Sequence, residues 1–247
     1  MSRGRRVRAA AFIAAAFFVC DYCLSAVPGW ATEDDDARVI LFSGRDIWRN
    51  GIFAHGGMVY APGGVDQDGI LLKVLLSGGL YRYNAGSLGG KPVVGAESVI
   101  QLMPGWRVKR GDLEVKVFFG LDGEYHGLRP DDPSNPLRGR AFGVRFASEF
   151  WYEPTPATMV AGDASLASIA TNHSVRAAYG WRVFDKLFYL GPEIQYLGAY
   201  GYRQLRLGAH ITSMKTGDIE WSAAGGWAED SDGRSSPYLR LGLLKRQ

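Results

Sequence analysis

Arg45-Asp46-Ile47-Trp48-Arg49 is the stretch of this chain densest in groups able to grip a ligand. An indole face stacks on a pyranose ring and a guanidinium bonds hydroxyls, so Arg45, Asp46, Trp48 and Arg49 form a candidate glycan contact. The plainer reading is an internal salt bridge beside an interfacial tryptophan. A second set is spread along the chain: Arg145, Glu149, Arg176, Arg182, Glu193, Arg206, His210 and Glu220. These fall on the polar parity of alternating segments, which suits a ladder of paired charges in a confined interior better than a binding track. Elsewhere chemistry is thin. The four histidines, His55, His126, His173 and His210, stand on separate segments without metal-ligand spacing. Asp66-Gln67-Asp68-Gly69 matches a fragment of a calcium loop and lacks the later ligands. Asp131, Asp132 and Asn135 are a weak candidate for a divalent cation at the cell surface. No Gly-x-Ser-x-Gly elbow or His-Glu-x-x-His occurs. The expectation is a protein with no catalytic residues, no metal and no cofactor.

The elements that must carry these groups alternate with period two. Between Arg138 and Tyr152, Phe142, Val144, Phe146, Phe150 and Tyr152 share one parity, and Gly143, Arg145, Ala147 and Glu149 the other. A strand sends successive side chains to opposite faces, so this one has a greasy face and a small or charged face. Its length exceeds the roughly five or six residues of an ordinary strand and suits the ~9–11 tilted residues that cross a bilayer in a barrel.

Residues 1–31 read as a cleaved secretory signal. Arg3, Arg5, Arg6 and Arg8 precede an apolar Ala9–Val19 core, and Gly29-Trp30-Ala31 offers a cleavage site after Ala31, with Ala26 the alternative. Removing the leader takes four arginines and Asp21 from 28 basic and 25 acidic residues, leaving 24 of each. The apparent basicity is an export signal, which gives no case for nucleic-acid binding. Cys20 and Cys23 leave with the leader, so residues 32–247 form one domain without a disulfide.

Along that domain, strands are expected over 38–48, 52–61, 69–83, 93–103, 112–121, 138–152, 158–170, 174–183, 187–198, 202–213, 218–228 and 235–244. Asn50-Gly51 is a strong hairpin signal. Pro104-Gly105, Asp185-Lys186 and Lys215–Gly217 are expected turns, and Asp122–Leu137 an irregular loop. No run of ~18 apolar residues follows the leader, so no helix is expected to span a membrane. The fold class is therefore all-β: a transmembrane antiparallel up-and-down β-barrel of about twelve strands, ten being the alternative, in the bacterial outer membrane. Tyr152, Tyr179, Trp181, Tyr196, Trp221 and Trp227 on the apolar parity would supply its interfacial girdles. One feature departs from common barrels: the chain closes on Leu243-Leu244-Lys245-Arg246-Gln247, with no terminal aromatic.

Short motifs in order along the domain add a resemblance. Phe42-Ser-Gly-Arg-Asp46, Trp48-Arg-Asn-Gly51, His55-Gly-Gly57, Ala61-Pro-Gly-Gly64, Leu75-Leu-Ser-Gly-Gly79, Tyr81-Arg-Tyr83, Pro104-Gly-Trp-Arg107, Pro130-Asp-Asp-Pro133, Trp151-Tyr-Glu-Pro-Thr155, Gly180-Trp-Arg182 and Leu190-Gly-Pro-Glu193 resemble the cellulose biosynthesis protein BcsS family. The resemblance implies an outer-membrane accessory of bacterial cellulose production, expected here to be non-enzymatic and to serve cellulose secretion or surface anchoring. Its expected partners are outer-membrane lipid, the glucan chain and other cellulose-synthesis components. No catalytic residues come with it. Two other readings stay open: a barrel enzyme modifying lipid or glycan, and a soluble periplasmic all-β binding module.

Overall fold

A computed structural model describes residues 37–184 and 187–247. The leader, its cleavage site and the expected turn at Asp185-Lys186 lie outside the described residues. The alternating segments form twelve strands: β1 (Val39–Trp48), β2 (Gly51–Tyr60), β3 (Gly69–Ala85), β4 (Lys91–Arg110), β5 (Leu113–Arg129), β6 (Gly139–Thr155), β7 (Thr158–Ala167), β8 (His173–Val183), β9 (Phe188–Ala199), β10 (Tyr202–Thr216), β11 (Ile219–Asp230) and β12 (Ser235–Arg246). Each pairs antiparallel with its chain neighbours, and β1 pairs with β12 to close the barrel. The seam runs from Ile40 opposite Arg246 to Trp48 opposite Tyr238. Gln247 extends it by bonding the backbone of Arg38 and Val39.

Register carries the two parities around the whole wall. Phe142, Val144, Phe146, Phe150 and Tyr152 are exposed outside, while Arg145 and Ala147 between them are buried inside. On β3, Ile70, Leu72 and Leu76 face out and Leu71 is buried. Outward aromatics gather at both ends. Tyr60, Trp106, Tyr152, Trp181 and Trp221 lie toward the end where β1 begins and β12 finishes, here the terminal mouth. Tyr125, Phe142, Tyr196 and Trp227 lie toward the opposite, distal mouth. An apolar band between aromatic girdles is the outer surface of a barrel in lipid.

The structure corrects three expected boundaries. Pro104-Gly105 is no turn, for β4 runs through it to Arg110. Its ladder with β5 breaks after Leu102 and resumes at Gly105 in the same register, which is how a strand tolerates a residue without an N–H. Asp122–Arg129 is no loop but the second half of β5, so the irregular stretch shrinks to residues 130–138. β10 passes Ser213 on a bulge between Ile211 and Met214 and continues to Thr216, placing the turn at Gly217-Asp218. Ser213 takes a left-handed φ of 63° there, the local cost of re-aiming the strand.

Near the terminal mouth part of the interior is apolar. Ile40, Val59, Leu71, Met103 and Phe118 form a buried cluster that Phe42 and Leu244 flank. The β2–β3 connection, residues 61–68, bends into this mouth, and its Ala61 and Val65 join the cluster. Arg107 on β4, only 1% exposed, holds it there. Its Nε donates to the carbonyl of Gln67 at 2.8 Å, Nη2 to those of Gly64 and Gln67 at 2.6 Å, and Nη1 to that of Val65. Asp66 is tied to Lys109 of β4 at 3.1 Å and to Arg246 of β12 at 3.5 Å. The connection thus spans the mouth from β4 round to β12. Removing a buried donor strands its carbonyl partners at about 1–3 kcal/mol each. Arg107→Ala should therefore cost roughly 3 kcal/mol and open residues 63–68 to proteases. Limited proteolysis and the urea midpoint of the detergent-folded barrel measure both; an unchanged nicking pattern refutes the latch.

Candidate functional site

All eight members of the charge ladder lie on the inward parity, and each meets a partner inside the barrel. Arg145 on β6 reaches Asp122 at 2.9 Å and Glu124 at 3.4 Å on β5. Glu149 takes Lys73 of β3 at 2.6 Å and Lys116 of β5 at 3.7 Å. Arg176 on β8 bonds Asp163 of β7 at 2.5 Å and Glu193 of β9 at 3.4 Å. Glu193 also binds Arg240 of β12 and accepts the Tyr238 hydroxyl at 3.3 Å. Near the terminal mouth Arg182 bonds Glu153 at 3.1 Å and the Tyr189 hydroxyl oxygen at 2.6 Å. His210 contacts the Thr212 hydroxyl at 2.8 Å, and Glu220 accepts from Ser213 at 3.1 Å. Several of these contacts are chords. Lys73–Glu149, Asp46–Arg206 and Arg240–Glu193 each join strands three places apart around the wall.

The structure divides the glycan-contact residues. Asp46 and Trp48 point inward, Arg45 lies on the outer parity of β1, and Arg49 is exposed in the β1–β2 turn at the distal mouth. Asp46 is engaged by Arg206, whose Nη1 donates to both carboxylate oxygens at 2.9 and 2.7 Å. Arg206 is fully buried, with its guanidinium 4.8 Å from the Trp48 ring and 5.1 Å from that of Tyr238. Trp48 stacks on Phe53 with ring centroids 5.4 Å apart. Asp46 and Trp48 therefore belong to one lumenal assembly, and of the two arginines Arg49 lies at the mouth.

Sequence reasoning passed over a further group. Glu97 on β4 and Glu124 and His126 on β5 converge inside the distal half of the barrel. Tyr81 of β3 contacts His126 Nδ1 at 3.0 Å, and His126 Nε2 lies 3.2 Å from Glu124. Period two continues through Asp122, Glu124, His126 and Leu128, a signal hidden by ending the strand at Leu121. Lys73, Asp163 and Arg240 were also missed as ladder partners; the pairing of distant strands places them, and one strand's pattern does not reveal it.

Above this group residues 130–138 fold back onto the wall. Asp132 accepts from Ser87 at 2.7 Å, from the Ser134 hydroxyl at 2.8 Å and from Tyr83 at 2.9 Å. Asn135 donates to Tyr83 at 2.8 Å. These donors, Ser87 first and then Ser134, hold the Asp132 carboxyl below its ordinary pKa of 3.8. Asp131 pairs instead with Arg138 at 2.7 Å, so the candidate surface cation residues are engaged in fixing the loop to itself and to the wall.

A closed antiparallel barrel with an apolar, aromatic-girdled exterior and charges paired within is an integral protein of the bacterial outer membrane. Solved barrels share the architecture. An outer membrane channel from Pseudomonas putida F1 is 10% identical over 90% of this chain and 100% of its own, with a TM-score of 0.54. The beta domain of the Bordetella autotransporter BrkA is 10% identical over 86% of this chain and 100% of its own, at 0.53. The family model for cellulose biosynthesis protein BcsS matches residues 40–247, and the chain belongs to that family. Among curated proteins, none matches the chain.

Two outcomes follow from the geometry. Asp46→Ala leaves the Arg206 charge buried without its carboxylate and should destabilise the barrel by about 3–5 kcal/mol, whereas Asp46→Asn with Arg206→Met should recover most of that. Urea midpoints of single and double variants decide, and equal losses in both would remove the pair from the account. For Asp132, the folded pKa is depressed, so its stabilisation is present above the ordinary value and is lost as pH falls through the folded one. Hydrogen exchange in residues 130–138 should rise selectively below pH 3.8, and the Asp132→Asn variant should lose that dependence.

Proposed function

We propose that this protein serves cellulose production as a non-enzymatic outer-membrane anchor, holding the polymer or its machinery at the distal mouth. The observation that carries this reading is the occupied interior. The terminal mouth is spanned by residues 61–68 under the Arg107 latch, and above it lumenal chords tie strands three apart. Such an interior favours a scaffold over a tube wide enough for a hydrated glucan. The distal connections 86–90, 130–138 and 168–172 are longer than most at the terminal mouth, which supports placing the distal mouth outside the cell. Arg49 stands at that mouth, next to the Trp48–Asp46–Arg206 assembly, and is the part of the glycan-contact set best placed to meet a sugar hydroxyl.

The reading has two measurable consequences. In planar bilayers the folded protein should pass little current, and Arg107→Ala should raise it; a steady wild-type pore of porin size would overturn the anchor in favour of a conduit. In a cellulose-producing strain, Arg49→Ala should lower retained cellulose while the barrel still inserts. Normal output from well-inserted Arg49→Ala removes that residue from the reading.

A further inference from the structure

Glu97, Glu124 and His126 offer three ligand atoms that all lie within 4.8 Å of one another. Register sets Glu97 directly opposite His126, with Glu124 two residues along the same inward face. Glu124 and His126 are buried, their side chains 3% and 4% exposed. Both are fixed from behind, Glu124 by Arg145 at 3.4 Å on Oε1 and His126 by the Tyr81 hydroxyl on Nδ1. Glu124 Oε2 and His126 Nε2 then meet in a 3.2 Å hydrogen bond, the contact that an ion seated between them would replace. Glu97 is half-buried in the lumen and directed at these two atoms, yet has no hydrogen-bond or ion-pair partner among the described residues.

Charge makes the same point. The charge-bearing side chains gathered around Glu97 include Glu124, Asp122 and Arg145 beside His126. Asp122 and Glu124 already share the Arg145 guanidinium, and Glu97 adds a third carboxylate to the same corner. Asp122 is itself fully buried, and among the described residues its Oδ1 meets no hydrogen-bond partner of good geometry. Uncompensated buried charge is costly, and a divalent cation would cancel the excess. The donors select its type: one imidazole and two carboxylates suit a borderline ion such as Zn2+ better than Ca2+ or Mg2+, which favour oxygen alone. The 3.2 Å separation also fits the edge of a tetrahedron built on bonds of about 2.0–2.1 Å, roughly 3.3 Å.

We propose that Glu97, Glu124 and His126 bind one divalent transition-metal ion beneath the distal mouth. With the ion on Nε2, the imidazole proton resides on Nδ1 and donates to the Tyr81 oxygen, making Tyr81 a positioning residue. The site does not depend on the anchoring role. The test titrates Zn2+ into the detergent-folded full chain after chelator treatment. One ion per chain should bind and raise the unfolding temperature. Glu97→Gln, which breaks no hydrogen bond, should fold and weaken binding at least tenfold, as should His126→Gln. Tyr81→Phe should weaken it by about tenfold while keeping the stoichiometry. Asp66→Asn, at the opposite mouth, should bind as wild type. Absence of stoichiometric binding by the folded wild type overturns the proposal, and so does binding that survives Glu97→Gln unchanged or is lost instead in Asp66→Asn.

Discussion

Hydrocarbon offers no hydrogen bonds, so every backbone N–H and C=O in the membrane must find its partner within the sheet. The pairing of β1 with β12 satisfies this constraint at the one place where chain continuity cannot help. Everything else answers to it. Once the sheet is closed, each strand must show lipid one face and the lumen the other, so the wall of Phe, Leu and Trp outside dictates which residues are left inside. The alternation of β6, with Phe142 out and Arg145 in, is that requirement written into sequence.

The inside faces a separate problem. Twelve strands enclose more space than backbone fills, and the chain occupies it in two ways. At the terminal mouth it uses apolar side chains and an infolded connection, where Val65 joins the Phe118 cluster. Farther up it uses long charged side chains, each needing a counter-charge. Arg206 meets Asp46, Glu193 collects Arg176 and Arg240, and Glu149 collects Lys73 and Lys116. Glycine leaves room among them: a side chain at Gly208 would meet the Tyr238 hydroxyl, itself bonded to Glu193, at 2.5 Å. Around Glu97, Glu124 and Asp122 the counter-charge runs short, which marks that corner as unlike the rest of the lumen.

Fold class, strand number and facing were legible because period two is local: nearly every strand announces its two faces over about ten residues. Boundaries were less so. Pro104 and Gly105 carry turn chemistry, yet β4 absorbs them because β3 holds its other side in unbroken register. Asp122 and Glu124 look like loop residues only because acids are rare in strands that face water on neither side. The site suffered most, since groups on different strands meet through pairing register and, for the chords, through closure. Nothing near Asp46 in the sequence points to Arg206, and nothing near Glu97 points to His126.

The chords bear on assembly as well as on rest. Asp46 and Arg206 lie 160 residues apart in the chain, and Arg240 of the last strand reaches back to Glu193 of β9. Both strands of the seam are thus moored to the same β9–β10 hairpin. Loop-closure entropy makes such distant contacts slow to arrive, while hairpins form from near neighbours. Such chords can close only when hairpin and seam strands stand together, so they brace the seam from across the lumen.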